Sequence, residues 1–127
     1  MMGLTRYYPY LAGLWATIIL VVSVIPGEDL PSLSIWEPDK VMHAFVYGVL
    51  TFLICYSLSK HRYSLKQSII NAIVLCILYG FVIELIQLLL PTRSFDLLDA
   101  VANSTGCLLS GGLILLFSGR RKGKNKV

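Results

Sequence analysis

The chain has 127 residues, of which 56% are hydrophobic and 14% charged, with a mean hydropathy of +0.72. That length supports one domain, and that composition is too apolar for an ordinary soluble one, so it points to the bilayer. The net charge of +4 does not make a nucleic-acid binder: five of the eleven basic residues lie in the last eight positions, where a membrane-flanking tail accounts for them.

Tyr10 to Ile25 is a nearly uncharged run that ends at Pro26-Gly27 and follows Arg6, Tyr7 and Tyr8. With tyrosines anchoring one interface it is long enough to cross a hydrocarbon core of about 30 Å. No small-x-small cleavage site follows, so it reads as an uncleaved span at about 8–25 rather than as a signal peptide. Residues 26–40 form a loop with three prolines, the acids Glu28, Asp29, Glu37 and Asp39 against Lys40, and Trp36 placed for an interface. A second apolar span at 41–58 is broken only by His43, with Pro38 or Asp39 placed to start its helix. Lys60-His61-Arg62 and Lys66 make a short basic loop, and further spans fall at 67–90 and 97–118, followed by a basic tail over 119–127. Cys55, Cys76 and Cys107 each sit inside an apolar run without Cys-x-x-Cys spacing, and read as lipid-facing or packing thiols.

The sequence therefore predicts one all-α domain over 1–127, a polytopic membrane protein folded as an antiparallel bundle of four transmembrane helices. One Lys or Arg lies near the amino terminus, one before span two, three after it, one in the turn at Pro91 and five at the end, so the basic loop and tail, and with them both termini, are expected in the cytoplasm of a cell membrane. The acidic loop and the turn at Pro91 are then expected outside.

Under that topology Asp39, Lys40, His43, Glu84, Gln87, Arg93, Asp96, Asp99 and Asn103 all fall at the outer ends of spans two, three and four. Glu84 and Gln87 are three apart, and Asp99 and Asn103 four apart, so each pair shares a helix face. An acid held in hydrocarbon costs about 2.5 to 3.5 kcal/mol at the centre of the membrane. Arg93, Lys40 and His43 are the candidate counter-charges for Glu84, the deepest of the acids, while Asp96 is also placed to cap span four. Ala102, Gly106 and Ser110 make a small-residue stripe that admits a neighbouring helix closely, with Asn103 on its border. No His-Glu-x-x-His, Gly-x-Ser-x-Gly or phosphate-cradling glycine loop is present, and one histidine among scattered carboxylates does not define a metal centre; neither metal nor cofactor is expected.

The order Asp39-Lys40-x-x-His43 with Tyr47, then Glu84-x-x-Gln87, Arg93 and Asp99-x-x-x-Asn103-x-x-Gly106 resembles the signature of the VanZ-like family of small bacterial membrane proteins. The resemblance covers about Asp39 to Gly112 and departs from the family where a second glycine often stands four residues after the first; here that place is Ser110. It implies an integral membrane protein with its polar cluster toward the cell exterior. The family's founding member is associated with resistance to the glycopeptide teicoplanin in Gram-positive bacteria. The leading expectation is an outward pocket binding a polar head group: a membrane lipid, a cell-wall precursor or a lipoglycopeptide. Lys40 and Arg93 would meet phosphate or carboxylate, with His43, Gln87 and Asn103 hydrogen-bonding and Glu84 and Asp99 orienting the cations. The alternatives are an intramembrane enzyme, with Glu84 or Asp99 as general acid or base and His43 as partner, and a structural protein whose buried ion pairs hold the bundle.

Overall fold

The computed structural model describes residues 3–26, 38–61 and 63–124, without the side chains of Pro38, Asp39, Lys122 and Lys124. The expectations for Glu28, Asp29, Trp36 and Glu37, and for the side chain of Asp39, lie outside the described residues. Four helices follow in order: α1 (Tyr8–Val24, entered through a 3-10 turn at Leu4–Tyr7), α2 (Pro38–Ser59), α3 (Leu65–Leu88) and α4 (Leu97–Lys124). Each contains a segment long and apolar enough to cross a membrane, and there is no strand among the described residues.

Helix ends follow local chemistry. Pro38 opens α2, where its fixed φ suits the first helical position and its missing N–H costs nothing. Ser64 caps α3 by accepting from the Gln67 N–H, while the Gln67 side chain accepts from the Ser64 N–H, a reciprocal pair that starts the helix at Leu65 rather than at 67. Pro91 disfavours helix in the residue before it, and α3 accordingly stops at Leu88. α4 continues through Arg120 and Arg121 to Lys124, into the stretch that hydropathy alone treats as tail, because Arg and Lys are good helix formers.

Side-chain contacts give the directions. Tyr8, at the start of α1, stacks on Tyr56 and lies edge-on to Phe52, near the end of α2, so those two helices are antiparallel. Arg93, just past α3, reaches Ile25 at the end of α1, and Lys40, at the start of α2, reaches Asp99 at the start of α4. The helices thus alternate in direction, and α1 begins at the same end of the bundle at which α4 finishes.

The tightest seam is between α2 and α4. A Cβ built on Gly106 would collide with the backbone of Ala44, and one built on Gly48 would lie 3.3 Å from the Gly106 carbonyl oxygen and 3.8 Å from Ser110 Cβ. The small-residue stripe of α4 therefore meets a matching one on α2, Ala44 and Gly48, and the two backbones approach as side chains do elsewhere. Below this seam the core contains Tyr47, Leu50, Cys76, Ile83 and Cys107, then Cys55, Ile69, Ala72 and Ile114 toward the other end. All three cysteines are fully buried packing thiols, none lipid-facing.

Leu14, Phe45, Leu78, Leu113 and Leu116 are among many large apolar side chains exposed on the outside of the bundle. Contiguous exposure of this kind marks a surface that faces something apolar. α1 buries the least, and four polar side chains hold it in place: Trp15 donates to the Val46 carbonyl, Tyr79 to Ala16, Gln87 to Ser23, and Arg93 to Val22 and Ile25.

Candidate functional site

At the end of the bundle away from both α1's start and α4's finish, the polar residues of α2, α3 and α4 converge. Lys40 Nζ lies 3.4 Å from Asp99 Oδ1 and 3.6 Å from Asp96 Oδ2. His43, one turn further along α2, places Nε2 3.7 Å from Asp99 Oδ2 and Nδ1 3.0 Å from Asn103 Oδ1. An amide oxygen only accepts, so Nδ1 is the donor in this bond, while Nε2 faces the Asp99 carboxylate and pairs with it when it too carries a proton. Lys40 and His43 on one helix therefore face Asp99 and Asn103 on the other, both pairs being spaced about one turn apart. The glycine seam immediately below brings the two backbones close enough for these short bridges.

Asn103 is accommodated by a second glycine. A Cβ built on Gly80 of α3 would stand 3.2 Å from Asn103 Nδ2 and 3.0 Å from Tyr47 Cε1, so Gly80 leaves the space that both side chains occupy. Neither Gly80 nor Ala44 carries a polar signal, and sequence reasoning passes over both. The i, i+4 spacing of Ala44 and Gly48 is the cue that would have found the α2 half of the seam.

Glu84 is only 1% exposed, and its Oε2 accepts from the Asp96 N–H at 3.3 Å. Asp96 is the N-cap of α4: its Oδ1 accepts from the Leu98 N–H at 2.8 Å. In a capping box the residue three places into the helix returns to bond the cap's own N–H. Here that position is Asp99, which is turned to Lys40 and His43 instead, and Glu84 supplies the missing acceptor from across the turn. The Asp96 carboxyl is held below the usual carboxylate range, chiefly by the Leu98 N–H, with Lys40 adding to it.

The expected counter-charges go elsewhere. Among the described residues no ion pair joins Glu84 to Lys40, His43 or Arg93. Gln87 and Arg93, assigned by the sequence to the same binding set, spend their donors on α1: Gln87 Nε2 on the Ser23 carbonyl at 3.1 Å, and Arg93 Nε and Nη2 on Ile25 at 3.1 and 2.9 Å, with Nη2 also reaching Val22 at 3.3 Å. The last carbonyls of a helix have no partner within it, and a guanidinium is a strong donor to them. The cluster thus divides into an α2–α4 network with Glu84 beneath it, and a clamp that fastens the end of α1.

Exposure is graded through the network. The side chains of Asp96, Lys40 and His43 are 43%, 29% and 24% exposed, whereas Asn103 is almost fully buried and Asp99 nearly so. Mobile or dissociable partners can approach the first three, while the last two and Glu84 form a fixed floor. No group of three or more His, Cys, Asp or Glu side chains among the described residues is arranged to hold a metal ion.

Four apolar helices closing around a polar network at one end define a multi-pass membrane protein. The chain belongs to the VanZ/LLP1 family, whose description matches residues 9–118. An uncharacterised protein of the fission yeast Schizosaccharomyces pombe, C11E3.10, is 35% identical over 104 residues, which cover 82% of this chain. The chain spans 62% of the length of that relative. No solved structure matches.

Proposed function

We propose that the α2–α4 network is the binding site for a polar head group of a membrane lipid, in the leaflet away from the chain termini, which the distribution of Lys and Arg assigns to the cytoplasmic side. The observation that carries this reading is the graded exposure: Lys40 and His43 stand at the rim, Asp99 and Asn103 hold them from below, and Glu84 is buried beside the Asp96 cap. A lysine and an imidazole fixed by a shared carboxylate are preorganised to meet phosphate or hydroxyl groups without losing side-chain freedom on binding. Gln87 and Arg93 act at one remove, by fixing α1 beside the site. The relative in a fission yeast favours a head group of a kind found in fungal membranes too over a bacterial cell-wall precursor. A lipoglycopeptide such as teicoplanin, with its polar head and acyl tail, is a candidate competitor for the same rim, and this is the route by which a link to glycopeptide resistance would arise.

The test is lipid retention by native mass spectrometry on the purified full chain. Lys40→Gln and Asp99→Asn are expected to lose the co-purifying lipid that the parent retains, whereas Arg93→Gln keeps it. Equal retention by all four proteins sinks the proposal.

One observation favours a second reading, an intramembrane enzyme acting on such a lipid: the His43–Asp99 pair is a ready acid–base couple next to a buried carboxyl. It predicts a mass change in the bound lipid over time that His43→Gln abolishes, and an unchanged lipid mass after prolonged incubation counts against it.

A further inference from the structure

The opposite end of the bundle has a groove of about 470 Å³ where the 3-10 turn and the start of α1 meet the end of α2. Arg6, Tyr10, Lys60 and His61 are among its lining residues. The fold thus brings two basic side chains from distant parts of the chain to one recess, although like charges repel. The described residues offer no acid to separate them: the described acids, Glu84, Asp96 and Asp99, belong to the other end, and Arg6 and Lys60 have no ion pair among the described residues. Arg120 and Arg121, near the end of α4, add positive charge at the same end. Along the membrane from the groove, Leu11 and Leu14 of α1 and Phe52 of α2 present exposed apolar side chains, while Tyr10 at the mouth is largely exposed. A recess lined by two basic side chains, with exposed apolar side chains further along the same two helices, has the layout of a lipid: charged head above, acyl chain below.

We infer that this groove binds the phosphate of an anionic phospholipid in the leaflet on the side of the termini. Arg6 and Lys60 supply charge-assisted hydrogen bonds to the phosphate oxygens, Tyr10 and His61 border the head group, and the acyl chains run over Leu11, Leu14 and Phe52. The site is separate from the α2–α4 network and lies at the other membrane face, so either can fail without the other.

The experiment uses the full chain in phosphatidylcholine nanodiscs doped with phosphatidylglycerol, at physiological ionic strength so that unlocalised charge effects are screened. The readout is phosphatidylglycerol retained on release into the mass spectrometer. The double substitution Arg6→Gln/Lys60→Gln is expected to lower retention by about tenfold or more, the loss of at least one charge-assisted contact. Arg120→Gln/Arg121→Gln removes the same charge from the same end and is expected to leave retention at the parent level. The charge-preserving swap Arg6→Lys/Lys60→Arg is expected to retain the lipid. Equal losses in the two neutralised doubles, undiminished retention in Arg6→Gln/Lys60→Gln, or displacement of the lipid by millimolar inorganic phosphate would each overturn the inference.

Discussion

Replacing Gly106 by alanine puts a methyl group where the backbone of Ala44 stands. The three atoms nearest the new Cβ are the Ala44 carbonyl oxygen, carbonyl carbon and Cα, so no rotamer change relieves the contact and α2 must move away from α4. Overpacking of this kind costs about 1–3 kcal/mol, and a clash with backbone belongs at the upper end. Alanine regains about 1 kcal/mol over glycine in a helix interior, leaving a net loss of about 2 kcal/mol. Gly112 on the same helix has nothing within 4 Å of its Cβ position, so Gly112→Ala keeps only the propensity gain. The two variants are expected to differ by about 3 kcal/mol in reversible unfolding in mixed micelles, followed by helical circular dichroism. Ala44→Gly is not expected to rescue Gly106→Ala, since the obstruction is main chain. Equal stability of the two alanine variants would refute the seam.

A double-mutant cycle on Lys40 and Asp99 is expected to show a coupling of about 1–2 kcal/mol, because both side chains are partly withdrawn from water; a coupling near zero would mean the pair is not formed. Arg93→Ala is expected to remove about 1.5–3 kcal/mol from the attachment of α1, seen as faster amide exchange near the end of α1 with lipid retention at the α2–α4 network unchanged. A loss of binding without loosening would instead restore Arg93 to the site. The Asp96 cap gives a pH dependence of defined sign. Its folded-state pKa is depressed, so its contribution is full above the unfolded carboxylate value of about 3.9 and fades as the pH falls through the lower folded value. The stability gap between the parent and Asp96→Ala is therefore expected at pH 7 and expected to close in strong acid; a gap that widens on acidification contradicts the cap.

Much of this arrangement is legible in the sequence because it is periodic. Hydropathy locates four spans, and three- and four-residue spacing puts Asp99 with Asn103, and Asn103 with Gly106, on neighbouring strips of one helix. What a helical wheel does not contain is which neighbour a face meets. Gln87 and Arg93 look like members of the same polar cluster as Glu84, yet α1 lies beside them, and its unpaired terminal carbonyls take their donors. Glu84 looks like a charge in need of a cation, but the turn at Pro91 delivers the Asp96 N–H to it instead. Gly80 and Ala44 have no polar group to announce them, and their roles follow only from the approach of two backbones. The end of α4 is misread because hydropathy reports what can cross a membrane, whereas Arg120 and Arg121 still propagate a helix beyond it.

The chain has two histidines, His43 in the proposed head-group site and His61 at the opposite end. Imidazole ¹⁵N resonances of the full chain in micelles, recorded while a short-chain phospholipid is added, therefore report on the site residue by residue. A saturable shift of His43 that Asp99→Asn abolishes is expected, whatever His61 does. A His43 resonance that stays in place through titration with every head group tried would contradict it.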